Sequence, residues 1–590
     1  MFRLKARDKK NKLNYILNIL TWVILIVVNI IGVSLFGVYV ANGSNQPELI
    51  IASTIFSLGF SAGWIVGQIL YRFFYDIYLK KLAKYEELEI YHSTKLPKDK
   101  PKVVCVYTIH DDLFPAKVLH LKKQTYKNIE IWISDGSEKP ENKKFAKEFA
   151  LKNGINYYRL SSPSKNKGDN LNRFLKYSGA KFDYLMIQDP DVIIPERFIE
   201  SSLRFFYSKN NYSNKLGYIS PCIYTYRGKS IFSEMFRIGW DGLRQVFDGV
   251  KWFSPNSRTN FYSACCLIKK EVLIDEQNPK QLKFPDGSLE DWYLEIDANR
   301  AGWHGIINLL CVAREKFDEN PMVFQKRQVR IANWLMKYEK EKKFKNFNER
   351  YSSDEMATTA VSFVPLLSAI LIFLVFPLAF WVFYSYWNTI FSITTLFIPI
   401  CVVSGLIVVF LIINWIYLAI RADTKSILKR IFSVFFVIGM LLAIVPRFMK
   451  TFIDAFFKSK YEEFSSSIKS GKQMASTRKK LWLFVIPDII WNLILAAVIA
   501  GTITLFVLTK AIENQWLFLL FSFIVIPSGV LYLATLFEII FMITGIINTN
   551  KKYSDDLVNI NWSNKRDMLL DVNKKFYKKN RNIPKSQMFR

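Results

Sequence analysis

Six acidic residues and one lysine carry the chemistry this sequence offers, because each follows a predicted strand or opens a predicted helix. Asp111 lies just past the apolar run Val103–Tyr107, and Asp135 follows Ile129–Ile133 in an Asp-Gly-Ser turn with Gly136 and Ser137. A carboxylate just after a strand accepts hydrogen bonds from a base or a ribose; Asp-Gly-Ser equally suits a tight turn. Lys167 opens the run Lys167-Gly168-Asp169-Asn170-Leu171-Asn172. As a point charge it suits a diphosphate or a base carbonyl, and it equally suits a solvated lysine at a helix start. Asp189-Pro190-Asp191 directly follows the apolar run Tyr184–Ile187. Two carboxylates spaced by one residue at a strand end can hold Mg2+ or Mn2+ together with a diphosphate. Glu290 and Asp291 stand in Gly287-Ser288-Leu289-Glu290-Asp291-Trp292, ahead of Ala301-Gly302-Trp303-His304. Acids favour a helix N-terminus, with Ser288 as cap, and one carboxylate there could also take a proton from an attacking hydroxyl.

The elements that must position these groups alternate. Short apolar runs read as buried strands, and segments such as Glu141–Asn153 and Asn170–Ser178 read as helices between them. That alternation, over about residues 95–350, predicts an α/β domain with a mainly parallel sheet. Other chemistries are poorly served. His92, His110, His120 and His304 do not cluster, and no G-x-S-x-G, P-loop or H-E-x-x-H motif occurs. The six cysteines contain no C-x-x-C pair, so a zinc or redox motif is not expected, and reduced thiols are.

In order and spacing these segments resemble the family 2 glycosyltransferases, the GT-A group that includes bacterial cellulose and hyaluronan synthases. The resemblance covers about residues 100–335. It implies a GT-A, nucleotide-diphospho-sugar transferase-like fold, with Asp111 and Asp135 on the nucleotide, Lys167 close to it, and Asp189 and Asp191 as the D-x-D pair with Mg2+ or Mn2+. It further implies Asp291 as catalytic base and Glu290 as its support. The family's Q-x-x-R-W motif, which binds acceptor and diphosphate in processive members, corresponds here to a departure, Gln325-Lys326-Arg327-Gln328-Val329-Arg330-Ile331-Ala332-Asn333-Trp334. Arg330 matches the arginine and Trp334 the aromatic platform, although Trp334 equally suits an anchor at a bilayer interface. Ser263 stands where the family often has glycine before Lys269-Lys270.

The 590 residues leave room for a second, apolar unit; 51% are hydrophobic while 22% are charged. Apolar runs near 14–41, 50–75, 358–384, 390–420, 481–509 and 516–548 are each long enough to cross a bilayer. The formal charge of +30 would suit nucleic acid, but its placement follows the positive-inside rule instead. Residues 1–13 form a basic arm, residues 421–480 carry thirteen Lys or Arg against four acids, and the tail 549–590 carries eleven against four. With every basic stretch inside, about six α-helical transmembrane spans result (two in 14–75, two in 358–420, two in 481–548). Both termini and the 95–350 domain are then cytoplasmic. The run 430–453 has basic flanks on both sides and is expected to be interfacial or re-entrant; a seventh span is the alternative. The first apolar run is too long for a cleavable signal peptide.

Three functions follow as expectations. The first is an inverting hexosyltransferase of the cell membrane that uses a UDP-sugar to build and export a polysaccharide, similar to capsular glucan or galactan synthases of wall-less bacteria. The second transfers one sugar to a lipid acceptor. The third is a non-enzymatic transporter, whose mark would be ionisable residues inside spans, of which Asp488 and Glu538 are the main examples.

Overall fold

The structure is a computed structural model. It describes residues 23, 27, 87–159, 162, 164, 166–208, 216–226, 230–240, 264–274, 284, 290–316, 321–343, 368–385, 426–457, 471–509 and 514–546. The expected runs 14–41, 50–75 and 390–420, the arm and the tail lie outside the described residues, apart from Val23 and Val27.

Eight strands form one sheet in the order β3-β2-β1-β4-β7-β6-β8-β5. They are β1 Val103–Ile109, β2 Ile129–Asp135, β3 Asn156–Tyr158, β4 Tyr184–Gln188, β5 Val192–Ile193, β6 Leu216–Tyr226, β7 Cys265–Lys269 and β8 His304–Lys316. The block β3-β2-β1-β4 is parallel, whereas β7 runs antiparallel between β4 and β6. Every residue of β1 and β4 is buried, as expected of parallel strands covered on both faces. Successive β1 residues alternate between two cores. Val103, Cys105 and Tyr107 join one with Val118, Ala146, Phe198 and Leu203, while Val104 and Val106 join the other with Leu171, Phe174, Leu294 and Ala298.

Five helices supply those layers: α1 Pro115–Leu121, α2 Pro140–Lys152 and α4 Phe198–Phe206 on the first face, α3 Lys167–Tyr177 and α5 Glu290–Arg300 on the second. Pro115 and Pro140 sit in the first turns of α1 and α2, where a missing N–H costs nothing. The Asn166 side chain caps α3 by accepting from the Asp169 N–H at 2.8 Å. Cys105, Cys222, Cys265, Cys266 and Cys311 are buried free thiols; Cys401 lies outside the described residues.

Beyond β8 come the charged helix α6 Pro321–Lys343 and then more apolar ones: a helical stretch 368–385, α7 Ile427–Ala443, α8 Val445–Phe456, α9 Gly471–Leu508 and α10 Gln515–Ile546. Two of them contain segments long and apolar enough to cross a membrane, Val485–Leu508 and Trp516–Thr544, with mean hydropathy 2.2 and 2.3. Leu493, Leu505, Val507, Trp516 and Leu520 are exposed on them, as lipid contact would require. The stretch 368–385 is the described part of the expected run 358–384. The run 430–453 folds as α7 and α8, broken at Ile444, with Pro446 in the first turn of α8.

Phe232, Phe236, Phe324, Val437, Met440 and Phe541 join residues 231–240, α6, α7 and α10 in one apolar cluster. Gly239 permits that approach, since a Cβ there would stand 2.6 Å from the Ser433 carbonyl oxygen. Beside it Arg447 donates to Glu538 Oε1 at 2.5 and 3.1 Å, tying α8 to α10. Glu538 is buried, so removing its partner strands a charge. Arg447→Met is expected to cost about 3 kcal/mol, read as a lowered melting temperature in detergent, and Arg447→Met with Glu538→Gln is expected to recover most of it.

Candidate functional site

The carboxyl ends of β1, β2 and β4 open on one edge of the sheet, the edge where open α/β sheets bind ligands. Register puts Asp135 beside Ile109 and Gln188 beside Tyr107, so the chain leaves all three strands side by side. Asp189 and Asp191 follow β4 in a turn closed by the Val192 N–H donating to the Asp189 carbonyl at 3.2 Å. The Tyr107 hydroxyl donates to the Pro190 carbonyl at 3.0 Å, and the Asp189 N–H donates to the Ala264 carbonyl at 2.9 Å. The turn between the two carboxylates is thus fixed from both sides.

Lys167, the first residue of α3, forms an ion pair with Asp189 Oδ1. Thr108 Oγ1 donates to the same oxygen at 3.3 Å. Glu290 and Asp291 open α5, and both act electrostatically on Lys167. Burial pushes the Lys167 ammonium down, but Asp189, Glu290 and Asp291 outweigh it and hold the ammonium above its ordinary value. Burial pushes the Asp189 carboxyl up; Lys167 pulls it down, while Asp191 and Glu290 add to the rise, and it ends above the usual carboxylate range. Asp189 therefore pairs directly with the Lys167 ammonium, Glu290 and Asp291 act on that ammonium through space, and Asp191 acts on Asp189. The four acids come from opposite ends of a 103-residue stretch.

Asp111 and Asp135 lie on the same edge, yet their carboxylates hold protein partners. Asp111 adopts a positive φ of 62°. Its Oδ1 accepts from the Lys139 N–H at 3.1 Å and Asn142 Nδ2 at 3.0 Å, so it caps the start of α2. Burial pushes its carboxyl up, but the bonds from Asn142, Lys139 and Glu138 hold it below the ordinary value. Buried Asp135 accepts from the Ser137 N–H at 2.7 Å and the Tyr157 hydroxyl at 2.5 Å. It also pairs with Arg159 at 3.3 Å. Tyr157 and Arg159 belong to this site although their types and spacing gave no signal; only the pairing of β3 with β2 brings them to Asp135.

Asn170 and Asn172 sit in the Lys167 motif and have structural partners. Asn170 exchanges hydrogen bonds with Ser134, and Asn172 pairs with the backbone of Phe284. Arg330 and Trp334 lie on α6, where the Trp334 side chain and Ser288 fall outside the described residues. Gln325, on the same helix, is fully buried and lies beside Glu538. Among the described residues no three His, Cys, Asp or Glu side chains form a group that would hold a metal by themselves. Mg2+ normally takes only one or two carboxylates and completes its shell with phosphate oxygens and water. Asp189 and Asp191 fit that requirement, because crowded, buried carboxylates gain from a nearby cation.

Residues 103–274 match the sequence model of Glycosyl transferase family 2. The match runs from β1 to the turn after β7 and takes in Asp111, Asp135, Lys167, Asp189 and Asp191; Glu290 and Asp291 lie beyond it. The similarity to that family is confined to these residues, which contain strands β1 to β7 of the GT-A-like α/β sheet. Similar solved structures include the mannosyltransferase PcManGT from Pyrobaculum calidifontis in complex with GDP-Man and Mn2+, at 12% identity over 67% of this chain and 98% of that one, TM-score 0.36. S. aureus TarS 1-349 in complex with UDP-GlcNAc is similar at 12% identity over 62% and 95%, TM-score 0.28. Glucosyl-3-phosphoglycerate synthase from Mycobacterium tuberculosis is similar at 15% identity over 37% and 73%, TM-score 0.25. No curated protein matches the chain.

The Asp111 cap makes a prediction with a sign. A carboxyl depressed on folding adds stability that is complete above its unfolded value and disappears as pH falls through the folded one. Asp111→Ala, which loses the cap and keeps the positive φ, is expected to cost about 1–2 kcal/mol near neutral pH. Asp111→Asn tolerates that φ and is expected to cost less and to flatten the acid limb of a plot of melting temperature against pH.

Proposed function

We propose that this chain is a membrane-embedded, inverting glycosyltransferase that takes a UDP-hexose and transfers the sugar to a growing polysaccharide at the cytoplasmic face. The observation that carries this reading is the Lys167–Asp189 ion pair at the carboxyl edge of the sheet, with Glu290 and Asp291 acting on the same ammonium. Asp135, held by Arg159, Tyr157 and the Ser137 N–H, ends β2, with β1 between it and β4, and is assigned to the nucleotide together with Asp111.

Lys167 exchanges its carboxylate partner for diphosphate oxygens when the donor binds, as a compact point charge can. Asp189 and Asp191 hold Mg2+ or Mn2+, which when bound neutralises charge on the leaving diphosphate. Asp291 takes the proton of the acceptor hydroxyl as that oxygen bonds to the anomeric carbon and the carbon–oxygen bond to UDP breaks. Glu290 shares the Lys167 field and keeps that ammonium charged. UDP departs with its charge balanced, so no protein acid is needed on the leaving side. Arg330 and Trp334, both in the sequence of α6, are assigned to the acceptor.

The six-span topology, with both termini cytoplasmic, follows from the distribution of basic residues, and the exposed apolar faces of α9 and α10 support embedding in lipid. The interfacial role of α7 and α8 is part of the same reading. A second product, a glycolipid made by single transfer, is favoured by one observation: the stretch from Gln325 to Trp334 departs from the Q-x-x-R-W spacing of processive enzymes.

Purified protein incubated with a panel of labelled UDP-sugars and Mn2+ tests the proposal. Asp291→Asn is expected to lower transfer by about 10²–10⁴-fold while UDP binding persists. Polymeric product supports the first reading, a chloroform-soluble single-sugar adduct the second. Full transfer by Asp291→Asn would overturn the role of the acid, and no nucleotide release with any UDP-sugar would overturn the donor class.

A further inference from the structure

The helix that carries Lys167 also holds the chain that leads to the two acids facing it. Asn172 lies five residues after Lys167 on α3, about 7.5 Å further along the axis. Its Nδ2 donates to the Phe284 carbonyl at 2.7 Å, and its Oδ1 accepts from the Phe284 N–H at 2.9 Å. One side-chain amide thus satisfies both polar groups of a single backbone residue, an arrangement that fixes direction as well as distance. Phe284 is itself buried, 1% exposed, in the core that contains Leu171 and Phe174 of α3 and Leu294 and Ala298 of α5. Six residues after Phe284 the chain reaches Glu290 and begins α5.

We propose that Asn172 is a positioning residue: a latch on Phe284 that sets where Glu290 and Asp291 stand relative to Lys167. The inference rests on the reading of Asp291 as base given under Proposed function. Two independent links join α3 to the acid-bearing segment, apolar contact at Leu294 and Ala298 and the amide latch at Phe284. The apolar contact resists separation but is non-directional. The latch supplies the direction, because a rotated or shifted Phe284 peptide would leave both of its polar groups unpaired in a buried setting. Asn170, on the same turn, holds Ser134 in β2 at 2.6 and 3.2 Å. One turn of α3 therefore references both the nucleotide-side strand and the acid-side segment to a single helix.

The test separates positioning from plain stabilisation. Asn172→Ala is expected to lower kcat on the order of 10²-fold, the scale of a displacement of about 1 Å at a reacting group, with UDP affinity by calorimetry in Mn2+ changed less than about twofold. Phe284→Leu, which disturbs the same core and leaves the latch atoms in place, is expected to lower the melting temperature and to keep kcat within about threefold. In an Asp291→Asn background Asn172→Ala is expected to add almost nothing, because groups acting through one another are non-additive. Should Asn172→Ala fail to fold, Asn172→Asp, which keeps the acceptor for the Phe284 N–H and loses the donor, is measured in its place against the same expectations. The latch is overturned if kcat is retained, if kcat and UDP affinity fall together, or if Phe284→Leu at equal loss of melting temperature loses as much kcat. Wild-type activity in Asp291→Asn overturns the base assignment instead; loss there with full kcat in Asn172→Ala overturns the latch alone.

Discussion

The pairing of Lys167 with Asp189 is the constraint on which the edge of the sheet is organised. Asp189 pairs with the ammonium while Glu290 and Asp291 lie within its field, and like charges brought into a partly buried site repel one another. Without Lys167 the turn after β4 and the start of α5 would push apart. With it they converge, and the ammonium gains more from its neighbours than it loses to burial. The start of α5 adds a smaller favourable field, since a helix N-terminus carries about half a positive charge. An excess of negative charge still remains, which is why the site suits ligands that arrive with a cation.

The rest of the α/β domain serves that convergence. β1 and β4 are buried along their whole length, so neither can slip by one residue without turning its core side chains to the wrong layer. Fixed register puts Thr108 beside Asp189 and Ile109 beside Asp135. Asp111, caught in the left-handed region and bonded to the start of α2, anchors the loop after β1. It connects the nucleotide side of the edge to the first helical layer, much as Asn172 connects the acid side to the second.

Much of this was legible in the sequence, for identifiable reasons. The strands β1, β2 and β4 were readable because they are short, largely apolar and followed by acids; the structure extends each by one or two residues, to Ile109, Asp135 and Gln188. Motif order set Lys167 and Asp189 against a common diphosphate; the direct ion pair between them was not part of that reading. Nor were the partners of Asp135, because Tyr157 and Arg159 reach it only through strand pairing. The bond from Asn172 to Phe284 spans 112 positions, a separation on which local pattern is silent. Asp111 was read toward a nucleotide, whereas its carboxylate points to a helix start, since a residue after a strand can serve either purpose.

The last step concerns the apolar helices. A carboxylate such as Glu538 within an apolar span is expensive and persists where it is compensated. Here the compensation comes from Arg447 on α8, a helix kept separate from α7 by the break at Ile444. Gln325, at the start of the helix that follows the sheet, is buried against the same carboxylate. The α/β domain meets the apolar helices at an apolar cluster that includes Phe232, Phe236, Phe324 and Phe541. Apolar packing alone would let such a seam slide, because its energy depends on area rather than angle. A charged bond to Arg447 at one fixed residue of α10 removes that freedom. It ties α8 to α10, a helix that contacts lipid in the proposed function.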